Sequence, residues 1–351
     1  MVLAVAAAVL ATLGAAAWLA FRLSPWPAVL LIRRAPGRSG REIEQTLAPL
    51  VPDGIEQILD ERYDLDDPDG FLDVFTPLAA GSPLPTVVWL HGGGFIGGSR
   101  TGVRNYLRIL AARGYTTVAV EYSHAPERRY PTPVLQVDAA LAHLVRHADR
   151  LHIDPAQIVL AGDSAGAHIA AQAALALTDP TYADRAGLPT TVRGATVRAT
   201  ILACGPYDLD LPDYDGPHAR LLHTVLWAYT GVKDFRTDPR IAYASLPRHV
   251  SATFPPTFLT VGNADPLRRH SAALAESLAT RGVSVDTLFY PDDHEPPLGH
   301  EYQLDLTAEA GRQALNRMVL HLQAHTVRPA DYGRVVSTRC QPDGAGPAPL
   351  P

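Results

Sequence analysis

The stretch IVLAGDSAGAHIAAQAAL, Ile158 to Leu175, decides how the chain is read. Ile158-Val159-Leu160-Ala161 is a short apolar run of the kind that forms a buried strand. Ala167 to Leu175 is a run of small and apolar residues with helical character. Between them, Gly162-Asp163-Ser164-Ala165-Gly166 sets one hydroxyl between two glycines on a strand-to-helix turn. The residues two before and two after the serine on such a turn must be small, and both are glycine. This is the context that makes G-x-S-x-G a nucleophile candidate rather than an ordinary helix cap. Asp163 is on the wrong side of the turn to be the serine's acid partner, so the remaining catalytic groups must come from further along the chain.

Outward from that turn, apolar runs alternate with helical stretches. FLDVFTPL (71–78), Thr86–Leu90, YTTVAVEY (115–122), ATILACGPYDL (199–209), TFLTVGNAD (257–265) and SVDTLFY (284–290) read as strands. Residues 106–113, 135–151, 271–281 and 308–322 read as helices, and 42–59 has mixed helical character. This alternation predicts a mostly parallel α/β sheet with helices on both faces. In such sheets, sites form at the C-terminal strand ends. The polar residues found there are His91 with Gly92, Gly93 and Gly94, then Ser164, Asp265, and the histidines His294 and His300.

A serine hydroxyl needs a base within hydrogen-bond reach, and the base needs an orienting carboxylate. Asp265 follows a buried strand and is the candidate acid; Asp292 and Asp293 share the strand exit with the histidines and compete with them for space. Three glycines after a buried strand let the backbone approach a substrate and aim N–H groups at it. Gly93, Gly94 and Ala165 are the candidate donors to an oxyanion. His91 is read as a structural residue of this loop. His300 is favoured over His294 as the base: it has an aromatic, Tyr302, two residues on, whereas Pro296 and Pro297 after His294 stiffen an extended excursion.

Over roughly residues 85–322, HGGGF, EYSHAPERRYP, GDSAGAHIA and GNADPLRRHS together resemble the hormone-sensitive-lipase-like family of α/β-hydrolase esterases and lipases. The chain order Ser164, Asp265, His300 matches the order of α/β-hydrolases. EYSHAPE departs from the family's Tyr-Arg-Leu-Ala-Pro-Glu in carrying Ser123 and His124. The resemblance implies an eight-stranded, mostly parallel sheet with a helical cap drawn from about 41–60 and 210–248. It implies a cofactor-free serine hydrolase of small or medium acyl esters, with amide hydrolysis or deacetylation by the same triad as the alternative. A non-catalytic small-molecule receptor on the same fold is the reading from another class.

The 351 residues are 47% hydrophobic and 19% charged, with a net charge of −6 and no basic stripe. That balance argues against nucleic acid as a partner. Cys204 and Cys340 make neither a disulfide scaffold nor a zinc pattern, and the His143/His147 pair has the spacing of an exposed helix face. Val2 to Phe21 carries no charge and is long enough to cross a bilayer as a helix. An uncleaved membrane anchor over residues 1–23 is favoured over a cleaved signal or a buried helix, because no Lys or Arg precedes the run. Arg22, Arg33, Arg34, Arg38 and Arg41 follow it, which by the positive-inside rule puts the catalytic domain in the cytoplasm. Residues 24–40 read as a linker, 41–328 as the catalytic domain, and the Pro- and Gly-rich 329–351 as a disordered tail.

Overall fold

Successive side chains of a strand point to opposite faces of its sheet, and residues 84–90 use both. Val88 and Leu90 enter one core cluster while Val87 and Trp89 enter the other. A strand apolar on every residue therefore belongs at the centre of a sheet covered on both sides. The computed structural model describes residues 1–34, 40–192, 196–211 and 219–327. The chain begins with helices α1 (Val2–Leu23), α2 (Trp26–Arg34) and α3 (Gly40–Leu47). Strands β1 (Ile55–Arg62), β2 (Phe71–Pro77) and β3 (Leu84–Leu90) follow. Helix and strand then alternate: α4 (Arg104–Ala111), β4 (Thr116–Val120), α5 (Thr132–Arg146), β5 (Ile153–Asp163), α6 (Ala165–Thr178), α7 (Pro180–Ala186) and β6 (Val197–Ala203). After α8 (Ala219–Thr230) and α9 (Pro239–Ala242) come β7 (Thr257–Val261), α10 (Arg268–Thr280), β8 (Val285–Phe289) and α11 (Glu309–His325).

The eight strands form one sheet in the order β1-β2-β4-β3-β5-β6-β7-β8. β1 and β2 run antiparallel, as do β2 and β4; every later pairing is parallel. On one face Val88 and Leu160 pack with Leu141 of α5, Ile169 of α6 and Leu274 of α10. On the other, Trp89 and Val159 pack with Tyr106 of α4 and Met318 of α11. The α/β-hydrolase architecture expected from the sequence is the one observed.

Three expectations change. Residues 42–59 are not helical throughout: α3 ends at Leu47, and Ile55–Arg62 is the edge strand β1. The apolar pair Ile55 and Ile58 has the i, i+3 spacing of a helix, and a register shift between Ile58 and Glu61 breaks the strand alternation that would have betrayed it. Nor do residues 41–60 cap the site. Ile43 and Leu47 of α3 are buried in the same cluster as Val103 and Tyr106, on the α4 and α11 face. Helix α8, inside the expected 210–248 segment, packs on α2. The stretch 24–40 thus holds helix α2, with Pro27 in its first turn, where a missing N–H breaks no helical bond. Residues 35–39 of the expected linker, 212–218 of the expected cap and the tail from 328 lie outside the described residues. The Val5–Leu23 segment of helix α1 is exposed and, with mean hydropathy 1.7, long and apolar enough to span a membrane.

Helix α6 crosses β3 so closely that a Cβ on Gly166 would lie 2.0 Å from the Leu90 carbonyl oxygen. One on Gly162 would lie 2.6 Å from the backbone of Gly166. Overpacking of this kind costs about 1–3 kcal/mol or more. Gly166→Ala should therefore lower the melting temperature and soluble yield. Gly81→Ala, where no atom stands within 4 Å of the added methyl, should leave thermal unfolding unchanged.

Candidate active site

β5 ends at Asp163, α6 begins at Ala165, and Ser164 between them has φ 50° and ψ −122°. A non-glycine residue with positive φ is strained, and such strain is held only where the surroundings fix it. The geometry lifts the hydroxyl off the strand end. Ser164 Oγ lies 2.9 Å from His300 Nε2, and His300 Nδ1 lies 2.8 Å from Asp265 Oδ2. Asp265 follows β7 and its side chain is fully buried; its other oxygen accepts the Leu267 N–H at 2.8 Å. Three strand ends, β5, β7 and β8, thus bring together the three residues expected to act together.

His294 is elsewhere. Its ring packs on Tyr290 with centroids 4.5 Å apart, and its carbonyl accepts from Asn263 Nδ2 at 3.1 Å. Asp292 is exposed and pairs with Arg268. The excursion between His294 and His300 is fastened to the loop that carries Asp265. Asn263 Oδ1 accepts the Leu298 N–H at 2.8 Å, and the Leu298 carbonyl accepts the Ala264 N–H at 3.0 Å. A side chain at Gly262 would collide with the Leu298 carbonyl at 2.2 Å, so the close approach of the two loops requires glycine there.

The glycine loop after β3 closes the other side. Gly93 and Gly94 have φ of 130° and 61°. The Gly93 carbonyl accepts from the N–H groups of Ile96 and Gly97. Because the peptide is planar and trans, the Gly94 N–H points the opposite way. Gly93, Gly94 and Ala165 line the cavity beside Ser164. Beneath the loop, His91 is buried and stacked on Tyr122, with ring centroids 4.3 Å apart. Its Nδ1 lies 2.7 Å from the Gly92 carbonyl and its Nε2 2.9 Å from Glu121 Oε1. Both partners are acceptors, so both ring nitrogens donate and the ring is an imidazolium. Burial opposes that charge, but the Glu121 carboxylate outweighs it and the His91 pKa is raised. Burial would likewise raise Glu121; His91 outweighs it and holds the carboxyl at about 2.

Sequence reasoning passed over three residues. Asp163 accepts from Trp89 Nε1–H at 2.7 Å and from the Gly92 N–H at 2.8 Å, so it anchors the start of the glycine loop. Cys204, at the end of β6, is a buried thiol within 4.8 Å of ligating atoms of Asp265 and His300. Burial pushes its pKa up, leaving it uncharged at neutral pH. Burial disfavours charge on His300, while the Asp265 carboxylate bonded to its Nδ1 favours it. Glu301 lines the cavity with φ 58°. The trios Cys204–Asp265–His300 and His91–Glu121–His124 have the spacing of metal ligands. In both, however, the central imidazole already spends its two nitrogens on hydrogen bonds.

The cavity above Ser164 has a volume of about 610 Å³. Its walls are mainly aliphatic: Leu209 after β6, Leu222, Val225 and Leu226 from α8, Ile32 from α2, and Phe95 from the glycine loop. Arg33 of α2 donates to the Ile96 carbonyl at 2.6 Å and pairs with Glu127, which ties the cap to the glycine loop.

Comparisons with known proteins agree with this architecture. A family model described as the α/β-hydrolase fold matches residues 87–295. An acetyl esterase of Salmonella paratyphi B is 30% identical over 235 residues, covering 64% of this chain and 69% of that protein. The solved structure of an esterase from the archaeon Pyrobaculum calidifontis superposes with a TM-score of 0.65 at 25% identity, over 85% of this chain and 94% of its own. Esterase B of Lactobacillus rhamnosis gives a TM-score of 0.69 at 20% identity, over 86% and 98% of the two chains.

A depressed carboxyl stabilises the fold above its unfolded pKa of about 4.3 and loses that contribution as pH falls toward the folded value. Glu121→Gln should therefore be less stable than the wild type by about 1–3 kcal/mol near pH 6. Urea unfolding between pH 6 and 3 should show the difference shrinking as the pH drops.

Proposed function

Because the chain belongs to the α/β-hydrolase family and is a carboxylic ester hydrolase, we propose that it cleaves small or medium acyl esters with a Ser164–His300–Asp265 triad. Gly93, Gly94 and Ala165 serve as its oxyanion hole. The observation that carries this reading is the unbroken chain from Ser164 Oγ to His300 Nε2 and from His300 Nδ1 to Asp265 Oδ2. His300 takes the Ser164 proton as Oγ attacks the ester carbonyl carbon. The carbonyl oxygen becomes an oxyanion facing the three N–H groups, each such donor being worth about 2.7–4 kcal/mol in comparable sites. Asp265 stabilises the imidazolium without taking its proton. The imidazolium then protonates the departing alcohol, and a water activated by the same nitrogen releases the acid from Ser164. The aliphatic walls around the cavity suit an uncharged acyl group.

Membrane tethering through α1, with the hydrolase domain on the cytoplasmic side, belongs to the same proposal. The end of α1 adjoins the cap: Lys233, just past α8, donates to the Arg22 carbonyl at 2.9 Å. Leu30 and Leu31 of α2 and Leu221 of α8 are exposed apolar residues of that cap. Substrates that partition into lipid would reach the cavity from this side.

Ser164→Ala should abolish hydrolysis of p-nitrophenyl esters and labelling by a serine-reactive phosphonate, with folding retained. His300→Ala should lower kcat by about 10⁴-fold or more, and His294→Ala should change it only modestly. Wild-type turnover in folded Ser164→Ala, or the reverse ranking of the two histidines, would sink the assignment. A chain-length series of the esters then fixes the acyl preference.

Full-length protein should sediment with membranes and resist high-salt extraction. A chain lacking residues 1–23 should be soluble and hydrolyse a short ester as the full chain does. Recovery of a mature chain starting near Trp18 would instead identify a cleaved leader.

A further inference from the structure

Glu301 follows the histidine of the proposed triad and occupies the left-handed region, φ 58° and ψ 30°, where glycine would sit without strain. Its carboxyl turns into the cavity wall and meets that of Asp163. The two carboxyls converge over the α-carbon of Gly92: a Cβ there would lie 2.4 Å from Asp163 Oδ2 and 2.5 Å from Glu301 Oε1. Glu301 Oε1 is also 3.8 Å from His300 Nε2. A strained backbone, a glycine that makes room and a second carboxyl against a buried first one form a built arrangement. Two carboxylates in contact, one of them buried, cannot both ionise readily, so the pair holds one proton. Burial raises the Asp163 pKa as well, but the Trp89 and Gly92 N–H groups it accepts favour its ionised form, which leaves the proton on Glu301.

We propose that Glu301 is a positioning residue of the esterase site: as a neutral acid it donates to Asp163, whose other bonds set the start of the glycine loop. It also keeps a neutral group, not an anion, beside His300 Nε2 and the oxyanion. The inference rests on the triad reading above. The groups facing Glu301 are Asp163, His300 and, further off, Asp265 and Cys204, with His91 and Tyr122 beyond Asp163. Burial is the main cause that raises the Glu301 pKa to about 7, and the Asp163 charge adds to it. Above that pH Glu301 ionises, the two anions repel, and the grip of Asp163 on Gly92 loosens as a negative charge appears beside the reacting atoms. Turnover falls.

The test is the pH profile of kcat and KM for p-nitrophenyl butyrate, from pH 5.5 to 9.5, in wild type, Glu301→Gln and Glu301→Gly. Glutamine keeps a neutral donor to Asp163 that does not ionise. Glu301→Gln should retain turnover near pH 6.5 and lack the alkaline decline expected near pH 7 in the wild type. Glycine suits the backbone, so Glu301→Gly should fold, with a melting temperature at or above the wild type. It should nevertheless lose roughly ten- to a hundred-fold in kcat at every pH, with KM little changed, as expected of a misplaced loop. An alkaline limb at the same pH in wild type and Glu301→Gln overturns the proposal, as does equal kcat in the glutamine and glycine variants. Ser164→Ala measured alongside separates the two failures: an active Ser164→Ala removes the triad reading itself, whereas an inactive one with an unmoved alkaline limb removes only the role of Glu301.

Discussion

One backbone conformation organises this molecule: Ser164 at positive φ, between the last residue of a central strand and the first of a buried helix. An L-residue stays there only if its neighbours leave it no better choice. They do so by proximity. Gly162 and Gly166 have no side chains, so α6 can lie against the carbonyls of Leu90 and His91. That contact in turn fixes where β3 ends and where the glycine loop begins. The Ser164 N–H is bonded to the Ala203 carbonyl of β6 at 2.8 Å, which holds the turn from its other side. Ser164, the loop facing it and the neighbouring strand end therefore share one packing solution.

Charge is used sparingly around that solution. The glycine loop stands on His91, which is paired with Glu121; Glu121 accepts from Arg100, and Arg100 pairs in turn with Asp60 and the buried Asp73. A buried ion pair gains little net stability, but removing one partner is costly. Such a chain serves geometry more than stability: it ties the loop to one arrangement of linked ion pairs. Asp163 does the same from the opposite side through Gly92. The loop is thus held at both ends of its first residues, while Gly93 and Gly94 themselves face the cavity.

Much of this was legible in the sequence because central strands must be apolar on every residue and turns of this tightness must contain glycine. β3, β5 and β7 announced themselves by composition, and the polar residues at their ends could be collected without knowing the distances. Legibility failed where a segment is half exposed or where neighbours in space are remote in sequence. β1 alternates poorly because it is an edge strand with a register shift. α2 was hidden by prolines that read as a linker yet sit harmlessly at a helix start. Asp163 was dismissed as the wrong partner for Ser164; its actual partners, Trp89 and Gly92, lie more than seventy residues away in the chain. Glu301 carries no signal of its own in the sequence, since nothing local shows that its carboxyl meets another.

The fastening of the Asp265 loop to the His300 loop through Asn263 and Leu298 bears on how the chain matures. Ser164 and His300 are 136 positions apart, and His300 and Asp265 are 35 apart. Contacts of such separation form late, because the loop-closure entropy is spent before they give anything back. During synthesis Ser164 emerges well before β7, β8 and their fastened loops exist. Until they dock on the sheet edge, the Ser164 hydroxyl has no imidazole beside it. On the proposed triad, hydrolytic chemistry is thereby withheld from nascent and misassembled chains, and its appearance reports that the C-terminal third has joined the sheet.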